Sequence, residues 1–406
     1  MDQQKYAELS AWVTGAGLAG KPETAMLSGF CARAVAAGVP LQRALVIIDT
    51  LHPVHEGRAF RWRAGGEESE LIEYGRTNEG EAAENWRRNA FYRMLQSGDT
   101  VMRLRLTPEV VAEYSGLDQL HADGMTEYLL IVKRFAAGGI IGEMDCVYTA
   151  WATSEACGFD AAAVAALEGL VPFLALAIKC AALARIAETL VGTYLGRDPA
   201  RRVLSGRISR GVADRIATVL WFSDLRGYTG ITDRAPPEQV IPLLNDYAGA
   251  IISTVYEGGG DVLKLIGDGV LAIFPAEERE RACRSALAAA VAARRGVAEL
   301  NRRRSAENLP VTEMYLGLHV GEVFYGNIGS EDRLDFTVIG PAVNEVSRIA
   351  AMCRSVDQPL LISSAFAEAV GEERRRLVSV GRYALRGVGR PQELFTLEPG
   401  GDGVGI

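Results

Sequence analysis

"DVLKLIGDGVLAIFP", residues 261–275, sets two short apolar runs on either side of Gly-Asp-Gly. An Asp-Gly pair flanked by alternating apolar residues is a strong short-range hairpin signal, because glycine tolerates the positive φ that a tight turn demands. The stretch predicts a hairpin with Asp268 at its tip and Gly269 supplying the positive φ. A lone hairpin is marginal in water, so the surrounding chain must provide a sheet and covering helices. Upstream, "ATVLWFSDLRGYTGIT" (217–232) reads as an apolar strand that places Ser223, Asp224 and Arg226 before Gly227, and "PPEQVIPLLNDYAGAIISTVYE" (236–257) reads as a helix. If that helix crosses one face of a sheet, the strand of Asp224 can lie beside the hairpin of Asp268. Two carboxylates then converge on one edge.

An aspartate at a strand end is ordinarily a cap or turn residue. The pair changes that reading, because close carboxylates repel unless they are protonated or bridged by cations. Hard oxygen ligands suit Mg²⁺, which takes one or two carboxylates together with substrate phosphates. The pattern therefore points to a two-metal phosphoryl-transfer site. Downstream, "PAVNEVSRIA" (341–350) opens with a proline suited to a helix N-terminus. Asn344 and Arg348 stand at i and i+4 and share one face. A guanidinium fork beside an amide can hold charge that develops on a transferring phosphate.

With these residues in view, the region 216–398 resembles the catalytic domain of class III nucleotidyl cyclases. The resemblance rests on "FSDLRGYT" (222–229), "KLIGDG" (264–269), "GLHVGEVFYGNIGS" (317–330) and "FTVIGPAVNEVSRIA" (336–350). It implies a ferredoxin-like palm sheet with helices and a head-to-tail homodimer with two composite sites. Asp224 and Asp268 match the family's ligands for two Mg²⁺ or Mn²⁺ ions, with the Leu225 backbone carbonyl assisting one ion. Lys264 and Thr337 match the base-reading positions, and Asn344 and Arg348 the pair that orients ribose and stabilises the transition state. Arg386, in "ALRGVGRPQELFTL" (384–397), falls where the family often has a phosphate-binding lysine.

The implied reaction is in-line attack of the ribose 3′-hydroxyl on the α-phosphorus, giving a 3′,5′-cyclic nucleotide and pyrophosphate. Lys264 is donor-only, so it fits adenine N1 and cannot accept from guanine N1–H. ATP is the expected substrate, with GTP the alternative. Thr337 resembles the subgroup associated with bicarbonate response, which makes bicarbonate a candidate effector. A diguanylate cyclase is disfavoured because "GGGDV" (258–262) is no G-G-[DE]-E-F loop. A nucleotide-binding pseudocyclase is disfavoured by the intact Asp224, Asp268, Asn344 and Arg348.

The rest of the chain is read against that region. A length of 406 residues fits two domains. Residues 1–180 combine N-terminal helices, strand-like segments such as "RALVIID" (43–49) and "EYLLIVKRF" (127–135), and the opening of a long helix, "FDAAAVAALEGLVPFLALAIKCAALARIAETLVG" (159–192). "VKRFAAGGIIGEMDCVYTAWATSEACGFDAAAVAALEGLVPFLALAI" (132–178) weakly resembles the closing part of a GAF-type sensory domain, which implies an α+β architecture and an unknown signal. Residues 181–215 form an arginine-rich helical linker punctuated by Gly192, Gly196, Pro199, Gly206 and Gly211, and 399–406 a frayed tail.

A net charge of −8 argues against a nucleic-acid surface. The scattered cysteines Cys31, Cys146, Cys157, Cys180, Cys283 and Cys353 read as buried thiols in a reducing cytoplasm. The longest apolar run, 169–178, is ended by Lys179 and is too short to span a bilayer. His52 and His55 read as loop residues, and His319 as a satisfied structural histidine.

Overall fold

The computed structural model describes residues 1–398 apart from 67, 68, 137 and 139. The tail at 399–406 lies outside the described residues. The chain divides into two compact units, Met1–Leu190 and Val191–Ile406, both mixed α+β.

In the first unit, α1 (Gln3–Leu18) and α2 (Glu23–Ala36) precede β1 (Arg43–Asp49), β2 (Gly57–Arg63) and β3 (Glu70–Tyr74). Four short helices, α3 (Gly80–Arg87), α4 (Ala90–Ser97), α5 (Pro108–Glu113) and α6 (Asp118–Ala122), surround β4 (Val101–Arg105). The unit ends with β5 (Glu127–Arg134), β6 (Cys146–Thr153) and α7 (Ala161–Leu195). The strands form one antiparallel sheet in the order β3-β2-β1-β6-β5-β4. Strand alternation sends Ala44, Val46 and Ile48 into a core with α1, α2 and α7, while Leu45 and Ile47 pack with α4 on the other face.

Two sequence expectations change here. The apolar run at 169–178 belongs to the 35-residue α7, which continues through Lys179 and is long and apolar enough to cross a membrane by length and composition. More than half of its most apolar window is buried. Cys157 and Cys180 are exposed, whereas Cys31, Cys146, Cys283 and Cys353 are buried. His52 behaves as a loop residue: its Nδ1 accepts from the Val54 and His55 backbone N–H groups at 3.1 and 3.2 Å.

The second unit begins with α8 (Arg197–Leu204), β7 (Ala213–Leu225), α9 (Tyr228–Thr232) and α10 (Pro237–Glu257). Gly192 and Pro199 sit inside helices, and residues 213–215 already belong to the first strand of the sheet. The hairpin β8 (Asp261–Ile266) and β9 (Gly269–Pro275) follows, then α11 (Arg279–Ala306), β10 (Met314–Gly329), β11 (Leu334–Ile339) and α12 (Pro341–Val356). β12 (Leu360–Ser363), α13 (Ser364–Ala369), a 3₁₀ turn (Gly371–Arg376), β13 (Leu377–Tyr383) and β14 (Gln392–Leu397) complete it. The sheet order is β13-β14-β12-β10-β7-β9-β8, with β11 on β10; only β10 and β12 run parallel.

Alternation again divides the core. Val219 and Trp221 face α10 and α11, while Leu220 packs with Val346 of α12. Gly317 and Gly321 let α12 lie directly on β10: a Cβ at Gly317 would stand 2.8 Å from the Ala350 nitrogen, and one at Gly321 2.7 Å from Ala342 Cβ.

The first unit buries charged groups, among them Glu23, Arg58 and Glu127. Glu23 accepts from Arg58 at 2.8 Å and Arg185 at 2.9 Å. Glu23 and Arg58 are both buried. Removing one member of a buried pair strands the other charge and typically costs about 3–5 kcal/mol. Glu23→Ala should lower the unfolding free energy of the first unit by about that much in urea denaturation; a loss indistinguishable from that of an exposed pair would contradict the assignment.

Candidate active site

The β8–β9 turn is built differently from the sequence expectation. Ile266 pairs with Gly269, so Gly267 and Asp268 are the two central residues, and the positive φ of +62° belongs to Gly267. Glycine at the first central position is the type II′ arrangement suited to the right-handed twist of a hairpin. Gly269 serves closeness instead, since a Cβ there would stand 2.9 Å from the Ser223 carbonyl oxygen. That contact lets the turn sit against the end of β7, where Ser223 pairs with Val270.

Asp224 and Asp268 meet as a result. The Leu225 backbone N–H donates to Asp268 Oδ2 at 3.0 Å, fixing the carboxylate at the tip of the turn. Asp224 has one oxygen, Oδ1, that is buried and has no hydrogen-bond partner among the described residues. Burial and then the neighbouring charge of Asp268 push its pKa from 3.8 up to about 6. A buried carboxylate oxygen with no donor is costly and unusual. Leu225 therefore reaches the site through its N–H, holding Asp268.

Lys264 is the fourth residue of β8, which ends at Ile266 before the turn that carries Asp268. Its ammonium is paired with Asp335 of β11. Asp335 and Thr337 occupy alternate positions of β11, opposite the buried Phe336 and Val338, so they share the face that meets Lys264. Asp335 was absent from the sequence reading. The signal that finds it is period two: an acid two residues before Thr337 on the same strand.

Asn344 and Arg348 are exposed on α12, opposite its buried Ala342, Val346, Ile349 and Ala350. Among the described residues, no hydrogen bond or ion pair engages the Arg348 guanidinium or the Asn344 amide, and none joins them to Asp224 or Asp268. Arg386 is exposed in the turn closed by the Val388 N–H to Leu385 carbonyl bond, 3.0 Å. The fold thus gathers two carboxylates in one place and Lys264, Asp335 and Thr337 in another, and leaves Asn344, Arg348 and Arg386 as free donors.

His319 is structural, as expected. It is buried, and its Nδ1 lies 2.8 Å from Ser363 Oγ. Burial, then the nearby Arg279 charge, lowers its pKa to about 4.

Comparison with known proteins places this unit. Residues 213–399 match the family described as the adenylate and guanylate cyclase catalytic domain. An uncharacterized protein of Mycobacterium tuberculosis is 34% identical over 207 residues, which is 50% of this chain and 36% of that protein. An adenylate cyclase of Anabaena cylindrica is 33% identical over 160 residues, 38% of this chain and 31% of that protein. The chain thus spans about a third of the length of these curated relatives. The crystal structure of the adenylyl cyclase CyaB from P. aeruginosa is similar over 46% of this chain and 96% of that one, with 24% identity and a TM-score of 0.43. Residues 213–399 are a class III adenylyl/guanylyl cyclase catalytic domain.

Proposed function

We propose that the protein is an adenylyl cyclase that converts ATP to 3′,5′-cyclic AMP and pyrophosphate at sites shared between two copies of the chain. The observation that carries this reading is the ion pair of Lys264 with Asp335, which brings Lys264 to the face of β11 that also carries Thr337, while Asp268 is held separately by the Leu225 N–H. Lys264 donates to adenine N1, and the Thr337 hydroxyl accepts from the 6-amino group. Asn344 orients the ribose. Arg348, with no partner among the described residues, supplies a guanidinium for the charge that grows on the α-phosphate. Arg386 meets the terminal phosphates.

The carboxylate pair fits divalent cations. Asp224 Oδ1 is buried without a donor among the described residues, and a bound cation would offset its repulsion with Asp268. Bound Mg²⁺ or Mn²⁺ supplies polarisation of the attacking hydroxyl and neutralises phosphate charge. Asp224 and Asp268 hold the ions, with Leu225 keeping Asp268 in place through its N–H.

A homodimer is supported by the separation of the parts and by exposed apolar side chains. Leu265 and Ile266 of β8, Phe324 of β10 and Ile339 of β11 are all exposed. In this reading one copy supplies Asp224 and Asp268, and its partner supplies the base-reading strand face and α12. The first unit is a sensory domain of GAF type that regulates the catalytic unit, bicarbonate is a candidate effector, and the protein works in the cytoplasm with α7 as a core helix.

A second reading has one observation behind it. The Asp335 carboxylate beside Lys264 is an acceptor suited to guanine N1–H and the 2-amino group. Incubating the full chain with ATP or GTP and Mg²⁺ or Mn²⁺ separates the two: cyclic AMP as the main product supports the proposal, and cyclic GMP as the main product replaces it. Absence of both under every metal condition would overturn the cyclase assignment of activity.

The pKa of Asp224 gives a prediction independent of turnover. Raised to about 6 in the fold from 3.8, this carboxyl costs stability above pH 6, and the cost fades as pH falls through that value. In EDTA, Asp224→Asn should raise Tm at pH 8, with the gain shrinking between pH 7 and pH 4. Thermal denaturation across that range is the check, and a variant less stable than the parent at pH 8 would contradict it.

A further inference from the structure

The segment entering the catalytic unit is tied to two of its strands. Gly196, at φ +90°, precedes α8 and lies so close to β8 that a Cβ would overlap the Val262 carbonyl oxygen. Gly196 has no side chain with which to cap the helix. The cap comes from Asp261, the buried first residue of β8, whose carboxylate accepts from the Arg197 and Asp198 backbone N–H groups at 3.1 and 2.5 Å. Asp198 then reaches the opposite way. It accepts from the Tyr325 hydroxyl of β10 at 2.9 Å and from Arg202 Nε at 2.6 Å, and Arg201 also pairs with it. The Arg202 guanidinium lies 4.9 Å from the Tyr325 ring centroid and 3.0 Å from Asp214.

These anchors fall on the elements that carry the base-reading residues. Asp261 stands three residues before Lys264. Tyr325 pairs with Val338, and its neighbour Gly326 pairs with Thr337. Val203 of α8 packs against the cluster that holds Leu263, Tyr325, Phe336 and Val338. By strand alternation, Phe336 and Val338 lie on the face opposite Asp335 and Thr337. α8 therefore braces the back of the strands whose front presents Lys264, Asp335 and Thr337. Among the described residues, none of its hydrogen bonds reaches Asp224 or Asp268.

We propose that α8 sets the separation of β8 and β10, and through β10 the placement of its paired strand β11, with Asp198 as the positioning residue for base recognition. The inference rests on the cyclase reading above and deepens it. Control arriving through α8 then acts on nucleotide affinity and base choice, and leaves metal dependence alone.

The test uses the full chain and two variants. Tyr325→Phe removes one hydroxyl from a side chain that keeps its packing, and Asp198→Ala removes the bridge. For each, KM and kcat for ATP, the ATP:GTP preference and the Mn²⁺ concentration giving half-maximal rate are measured. The expected result is a rise in KM of about fivefold to tenfold, the size of one ordinary lost hydrogen bond. We expect a reduced ATP:GTP preference, kcat within about twofold of the parent for so local a change, and an unchanged metal midpoint. Asp198→Asn, which keeps an acceptor for Tyr325, should recover most of the affinity. A fall in kcat with KM unchanged, or parent-like kinetics in Tyr325→Phe, would overturn the proposal. A parent protein inactive on both nucleotides would instead overturn the cyclase reading, so the two failures are distinct.

Discussion

Two like charges held together at the end of β7 are the constraint on which the catalytic unit depends. Asp224 and Asp268 repel, and burial sharpens the repulsion, yet the fold spends backbone geometry to keep them in place. Gly267 makes the turn, Gly269 removes the side chain that would push the turn off β7, and the Leu225 N–H pins Asp268. A protein selected only for stability would gain by replacing either acid. One oxygen of the pair lacks a donor among the described residues, an arrangement that supports the proposed cation-binding role.

The other chemistry sits elsewhere, and its placement follows from the same sheet. β10 and β11 present Asp335 and Thr337 on the face away from their buried Phe336 and Val338, and β8 brings Lys264 to them. α12 lies on β10 because Gly317 and Gly321 leave room for its backbone, which turns Asn344 and Arg348 outward. The Lys264–Asp335 and Asp224–Asp268 pairs therefore form with different partners, and no hydrogen bond among the described residues links Arg348 to either. The proposal of a site shared by two copies rests on that arrangement.

Much of this was legible in the sequence, for reasons that can be named. The hairpin, the strand of Asp224 and the helix of Asn344 and Arg348 follow from local periodicity, and the adjacency of β7 and β9 follows from a helix crossing one sheet face. The six strands of the first unit were readable by composition, but α3 to α6 were not, since helices of 5–8 residues are too short for a 3.6-residue period to declare itself. The turn glycine was misplaced by one motif position, because Gly-Asp-Gly offers two candidates and only the pairing of Ile266 with Gly269 decides between them. Asp335 was hidden because its partner is 71 residues away, and the Asp261 cap on α8 because it joins positions 63 and 64 apart. The long helix through 159–192 was legible, but measuring only its ten-residue run up to Lys179 hid that the 35-residue helix as a whole is long and apolar enough to pass for a membrane span.

The central claim is that neither copy owns a complete site. Co-purifying differently tagged chains, one carrying Asp224→Ala and the other Arg348→Ala, tests it most directly, because each variant alone lacks one half of every site. In a confirmed mixed dimer one of the two sites is fully intact, so cyclic nucleotide formation should return to about half the parent rate when the sites act independently. Mixed dimers as inactive as either variant alone would contradict the account.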